Sequence, residues 1–182
     1  MSFFNARRTF LTRSGLVLSG SAVALLAGNE ALARGKGGTE SDVRILNTAL
    51  AAELEAIAAY QVGAESGLLQ KAVLDLAVTF QGHHREHADV LARTVSKLGG
   101  SPVAAKARYA FPTEKLKSQA DVLRFAAALE KGAVSAYLGA VPVFDNRALA
   151  KAAASILGDE AMHWAILRNA VGEAPVPGAF VS

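Results

Sequence analysis

Apolar residues recur at helical spacing almost everywhere beyond residue 40, and no segment alternates convincingly with a period of two. Four long helices are predicted. The first covers about 41–63, with Thr39 as its N-cap, and the second about 68–98, stopping at Gly99-Gly100. The third covers about 119–141, capped by Ser118 with Asp121 three residues on, and is ended by Pro142. The fourth covers about 146–171, capped by Asp145 and closed by Gly172. Short connections make antiparallel hairpins of helices one and two and of helices three and four. The stretch 99–117 between them is long and carries two prolines.

The two hairpins resemble each other. Glu53 and Tyr60 in the first helix stand 77 positions before Glu130 and Tyr137 in the third. Gly82, His87 and Leu91 in the second stand 76 before Gly158, His163 and Leu167 in the fourth. One such hairpin would leave its apolar stripe exposed, so the repeat predicts two hairpins face to face about a pseudo-twofold.

Polar residues interrupt these stripes at matching heights. At 100° per residue, Ala49, Ala56, Ile57 and Tyr60 share a face with Glu53, while Glu55 should face water. Val134 and Tyr137 flank Glu130, and Leu149, Ile156 and Leu167 share a stripe with Glu160 and His163. Phe80 and Leu91 share one with His84 and His87; His83 sits on its edge and Glu86 well round the other side. The chain has four histidines, three at these inward positions and the fourth beside them. Burying carboxylates and imidazoles is costly unless they are paired. Six inward O and N donors, Glu53, His84, His87, Glu130, Glu160 and His163, suit a first-row transition metal.

The pattern of Glu53-x6-Tyr60, Glu130-x6-Tyr137 and Glu160-x-x-His163 resembles the ferritin-like superfamily, especially its exported bacterial ferritin-like-domain proteins. The resemblance covers about 41–171 and implies an all-α fold: a ferritin-like four-helix bundle of two related antiparallel hairpins joined by a long crossover. It implies that Glu53 and Glu130 are terminal ligands, Glu160 a bridging ligand, and His87 and His163 nitrogen ligands. Tyr60 and Tyr137 would orient those ligands or relay electrons; simple core packing is the plainer role for both. The second helix departs from the pattern. Where Glu-x-x-His is expected it reads His84-x-x-His87, and a neutral imidazole does not bridge two metals. An asymmetric dimetal site, a single-metal site and a site that has lost its metal all remain open. The cofactor is accordingly iron, di-iron or mononuclear, or manganese, or none.

Composition adds a compartment. Arg7-Arg8 precedes Phe10 and Leu11, the apolar run 15–28 follows, and Ala31 and Ala33 offer small residues for a signal peptidase. That order resembles a twin-arginine (Tat) signal over 1–33, served by the Tat translocase, with an ordinary Sec signal or an uncleaved N-terminal anchor as the alternative, and the run is short of the roughly 20 residues a span needs. Residues 34–40 read as a flexible lead-in, 41–171 as the bundle, and 172–182 as an extended tail. Removing 1–33 takes away three arginines and one glutamate, so the net charge falls from +3 to +1. With no basic run interleaved with aromatics, nucleic acid is not an expected partner, and the mature chain has no expected membrane span. There is no cysteine, so stability comes from packing or a bound metal, although the predicted compartment permits disulfides.

Three functions compete. One is an exported, periplasmic metal protein with oxidase, ferroxidase or peroxidase-type chemistry. Another is a non-catalytic bundle for stress protection, envelope interaction or metal sequestration. A DNA-protecting relative is disfavoured by the export signal and the near-neutral mature charge. The resemblance also allows a homo-oligomer.

Overall fold

The computed structural model describes residues 36–181. Four helices follow in order: α1, Lys36–Glu65; α2, Lys71–Lys97; α3, Gln119–Ala140; and α4, Arg147–Ala170. Short 3-10 turns lie at Thr113–Lys115 and Val141–Val143, and there is no strand among the described residues. α1 packs along α2, α3 along α4, and α1 also meets α3. No helix among the described residues is long and apolar enough to cross a membrane. The twin-arginine motif, the apolar run and the cleavage site lie outside the described residues.

Local chemistry explains most of the helix ends. The Ser118 side chain accepts from the Asp121 N–H, as expected. Pro142 sits at the start of the 3-10 turn that ends α3. α4 closes on Gly172 at φ +79°, with the Glu173 N–H reaching back to the Arg168 carbonyl and the Gly172 N–H to that of Asn169. At the end of α2, Gly100 lies so close to α1 that a Cβ there would stand 2.6 Å from Val43.

Two expected caps are corrected. α1 already includes Lys36, the first described residue, so Thr39 stands inside the helix rather than at its cap. Its first turns are supported by tertiary contact, with Gly38 against the Asp145 side chain. The cap of α4 is Asn146, whose side chain accepts from the Ala148 N–H. Asp145 instead gives its own N–H to Asp42 of α1 (2.9 Å), and Asp42 also accepts from the Asn146 N–H (3.0 Å). Asp42 is buried and ties the start of α4 to α1.

Two apolar clusters fill the bundle. One, around Leu46, Leu50, Leu91, Val95, Leu149 and Ile156, occupies the end where α1 and α4 begin. The other joins Tyr60, Phe80, Leu123 and Leu167 at the opposite end. The inward polar residues sit between them. Asn47 pins the crossover outside, donating to the Ser101 carbonyl and accepting from the Val103 N–H.

Candidate metal centre

All six residues expected to face inward converge. Glu53, His84, Glu130, Glu160 and His163 are each at most 2 % exposed, and the His87 side chain is 16 % exposed. Two four-residue groups place one donor atom each within 4.8 Å of the others: Glu53, His84, His87 and Glu160; and His84, Glu130, Glu160 and His163. Each group is two carboxylates and two imidazoles, and His84 and Glu160 belong to both. Of the other faces, Glu86 is exposed as expected, whereas Glu55 is half-buried rather than open to water.

His84 stands where the repeat would place a second Glu160, 76 positions earlier. It spans the cavity: Nδ1 donates to Glu53 Oε2 (2.8 Å) and Nε2 to Glu130 Oε1 (3.2 Å). Burial pushes His84 down, but these carboxylates outweigh it and raise it to about 10. His87 is likewise raised to about 10 by Glu160 and Glu53, and His163 to about 9 by Glu130 and Glu160, against burial in both cases. Burial would raise Glu53, yet His84 and His87 hold it at about 2. Glu130 is held well below the usual carboxylate range by His163 and His84, again against burial. Glu160 is pushed up by burial; His163 and His87 offset this in part, and Glu130 and Glu53 add to it. Without metal, protons on the imidazoles neutralise the carboxylates.

The tyrosines cross between hairpins. The Tyr60 hydroxyl donates to Glu130 Oε1 and the Tyr137 hydroxyl to Glu53 Oε1 (2.6 Å). Burial and the adjacent carboxylates push both phenols well above their ordinary value, so both stay protonated donors. Trp164, beside His163, is buried and lies under the Arg168 guanidinium at 5.4 Å, a packing role.

Residues 41–173 match the ferritin-like domain family. The chain belongs to that family. Three solved structures are similar to it. A conserved hypothetical protein from Mycobacterium tuberculosis is 25 % identical with a TM-score of 0.68, covering 79 % of this chain and 99 % of that one. A ferritin-like, diiron-carboxylate protein from Bacillus anthracis is 19 % identical with a TM-score of 0.65, covering 75 % and 99 %. A Dps mutant from Listeria innocua is 14 % identical with a TM-score of 0.63, covering 74 % and 96 %. No functionally curated protein matches the sequence.

The donor set of this ferritin-like protein passes a direct test of fit for a metal. Five buried donor atoms lack a hydrogen-bond partner: His87 Nδ1, His163 Nδ1, Glu130 Oε2 and both oxygens of Glu160. They are close together, with His87 Nδ1 3.1 Å from Glu160 Oε1 and His163 Nδ1 3.5 Å from Glu160 Oε2. Those contacts are close enough to pair charge when the imidazoles are protonated, but they fall short of hydrogen-bond geometry. Buried polar atoms without partners are rare, and a cation among them satisfies several at once.

Sequence reasoning left Asp159 out and placed His83 only at the edge of a stripe. Asp159 Oδ2 lies 3.0 Å from His83 Nδ1, 3.3 Å from His163 Nε2 and 3.5 Å from His87 Nε2. The repeat carried the signal: His83 and Asp159 are 76 apart, the same shift that relates His87 to His163.

Proposed function

We propose that this protein is an exported ferritin-like metal-binding protein that holds iron or manganese among Glu53, His84, His87, Glu130, Glu160 and His163 and uses it in oxidase-, ferroxidase- or peroxidase-type redox chemistry. The observation that carries this reading is the set of five buried donor atoms without a hydrogen bond, both oxygens of Glu160 among them. Glu160, present in both donor groups, is the bridging candidate, with Glu53 and Glu130 as terminal carboxylates held by the tyrosines. Bound iron or manganese supplies a one-electron redox couple and Lewis acidity. The chain's own part is to exclude water, to supply three carboxylates against the cation charge, and to give up imidazole protons as ligands form.

Export rests on the Arg7-Arg8 motif, the apolar run and the Ala31/Ala33 cleavage site. A Tat translocase carries folded chains, which suits a metal loaded before export. Arg7→Lys with Arg8→Lys then holds the chain in the cytoplasm, and the exported form begins near Arg34 by N-terminal sequencing. Secretion of the double-lysine chain refutes this route.

One observation favours a second reading. His84 donates to both terminal glutamates, so the cluster closes partly on itself without metal. A non-catalytic bundle for stress protection or envelope interaction would have that core. Elemental mass spectrometry of protein purified without chelator or affinity tag decides between them. The metal reading expects one or two transition-metal ions per chain. None, even after reconstitution with ferrous iron or manganese, establishes the second.

A further inference from the structure

A third donor group lies on the solvent side of the core: His83, Asp159 and His163. His83 Nδ1 is 2.9 Å from His163 Nε2 and 3.0 Å from Asp159 Oδ2, and His163 Nε2 is 3.3 Å from Asp159 Oδ2. Metal–N and metal–O bonds of about 2.0–2.2 Å place neighbouring donors about 3.0–3.4 Å apart, so the three atoms form one face of a coordination polyhedron. The set is two imidazoles and one carboxylate, which suits a divalent first-row cation. The His83 side chain is 41 % exposed and that of Asp159 23 %, against at most 3 % for the carboxylates of the core, which leaves the open face to water.

His163 belongs to both places. Its Nε2 faces His83 and Asp159, while its Nδ1 faces Glu130 Oε1 (3.4 Å) and Glu160 Oε2 (3.5 Å). Its ring stacks on Phe80 at 4.0 Å between centroids, which holds it between the two sets of donors. A neutral imidazole has one lone pair, so His163 serves one set at a time. An ion in the core uses Nδ1, and the Nε2–H then turns to Asp159.

We propose that His83, Asp159 and His163 form an outer divalent-cation site, a station at which an ion binds before passing to the core. The destination rests on the metal reading of the core; the outer site itself does not. The site is emptied as the core fills, because His163 is withdrawn from it.

Cobalt(II) titration followed by visible absorbance tests this. In Glu53→Gln/Glu130→Gln, with the core donors weakened, one Co²⁺ per chain is expected, and adding His83→Ala weakens it by about 10-fold or more. With an intact core, His83→Ala is expected to take up the same final number of ions more slowly. The outer site is overturned if the core-weakened chain binds no Co²⁺, or binds it equally well without His83. The hand-off is overturned if His83→Ala loads an intact core at the wild-type rate, an arm that needs only the half-exposed His83 changed. Failure of the core reading looks different: wild type then holds no Co²⁺ beyond the one that depends on His83.

Discussion

Tyr60 of α1 donates to Glu130 of α3, and Tyr137 of α3 donates to Glu53 of α1. Each hairpin thus supplies the hydroxyl that holds the other's carboxylate. Tyr137→Phe leaves Glu53 Oε1 without that donor in a dry interior, where an unsatisfied acceptor costs about 1–3 kcal/mol. Tyr60→Phe should cost a similar amount at Glu130. Urea unfolding of the metal-free variants measures both. A large loss for one and none for the other would show that the two halves are not equivalent. Metal affinity should also fall, by about 10–100-fold, because the ligand loses its orienting partner.

Metal binding should depend on the buried face of α4 and not on charge in general. Glu160→Ala with His163→Ala removes one of the two donors shared by both core groups and one of their imidazoles. We expect no transition metal in that variant by elemental mass spectrometry. Glu86→Ala, on the exposed side of α2, should bind as wild type. Equal loss in both would break the assignment of faces.

The metal-free protein should be most stable in mild acid. His84 and His87 are raised from 6.5 to about 10 and His163 to about 9. Their stabilisation is complete below pH 6.5 and is lost as pH rises through 9–10. Glu53, lowered from 4.5 to about 2, contributes above pH 4.5 and loses that contribution toward pH 2. Glu160, raised above 4.5, acts in the same sense as the imidazoles, its contribution full below pH 4.5 and lost as pH rises through its raised value. Thermal melts of metal-free protein should therefore peak between about pH 4.5 and 6.5 and fall toward pH 10. Added metal should act in the opposite sense, stabilising more as pH rises, because its ligands must be deprotonated. A metal-free melting temperature that climbs from pH 6.5 to 10 would refute the protonated cluster.

Asp42→Ala strands two backbone N–H groups at the start of α4, those of Asp145 and Asn146. A loss of about 1–3 kcal/mol is expected in urea unfolding. Cobalt binding should survive, since Asp42 belongs to none of the donor groups. Unchanged stability would mean that water replaces the carboxylate.

The helices, their pairing into hairpins and the six inward donors were legible because a helix face is a local property. A turn of 100° per residue assigns Glu53, Glu130, Glu160 and His163 to apolar stripes without any knowledge of neighbours. Caps that depend on adjacent residues, such as Ser118 with Asp121, were legible for the same reason. Asp145 was misjudged because its N–H is claimed by a residue 103 positions away. Thr39 was misjudged because α1 runs on through Gly37 and Gly38, which local propensity disfavours, and Gly38 lies there against the Asp145 side chain.

What the sequence determined by itself is therefore the all-helical pattern, the repeat and the list of residues sent inward. Only the tertiary structure decided which of them meet: His84 between Glu53 and Glu130, each tyrosine on the opposite hairpin's glutamate, and His83 and Asp159 around the outer nitrogen of His163. Those pairings depend on how far one helix is slid and rotated against another. That register is set jointly by the apolar clusters at the two ends of the bundle, and periodicity along a single helix carries no information about it.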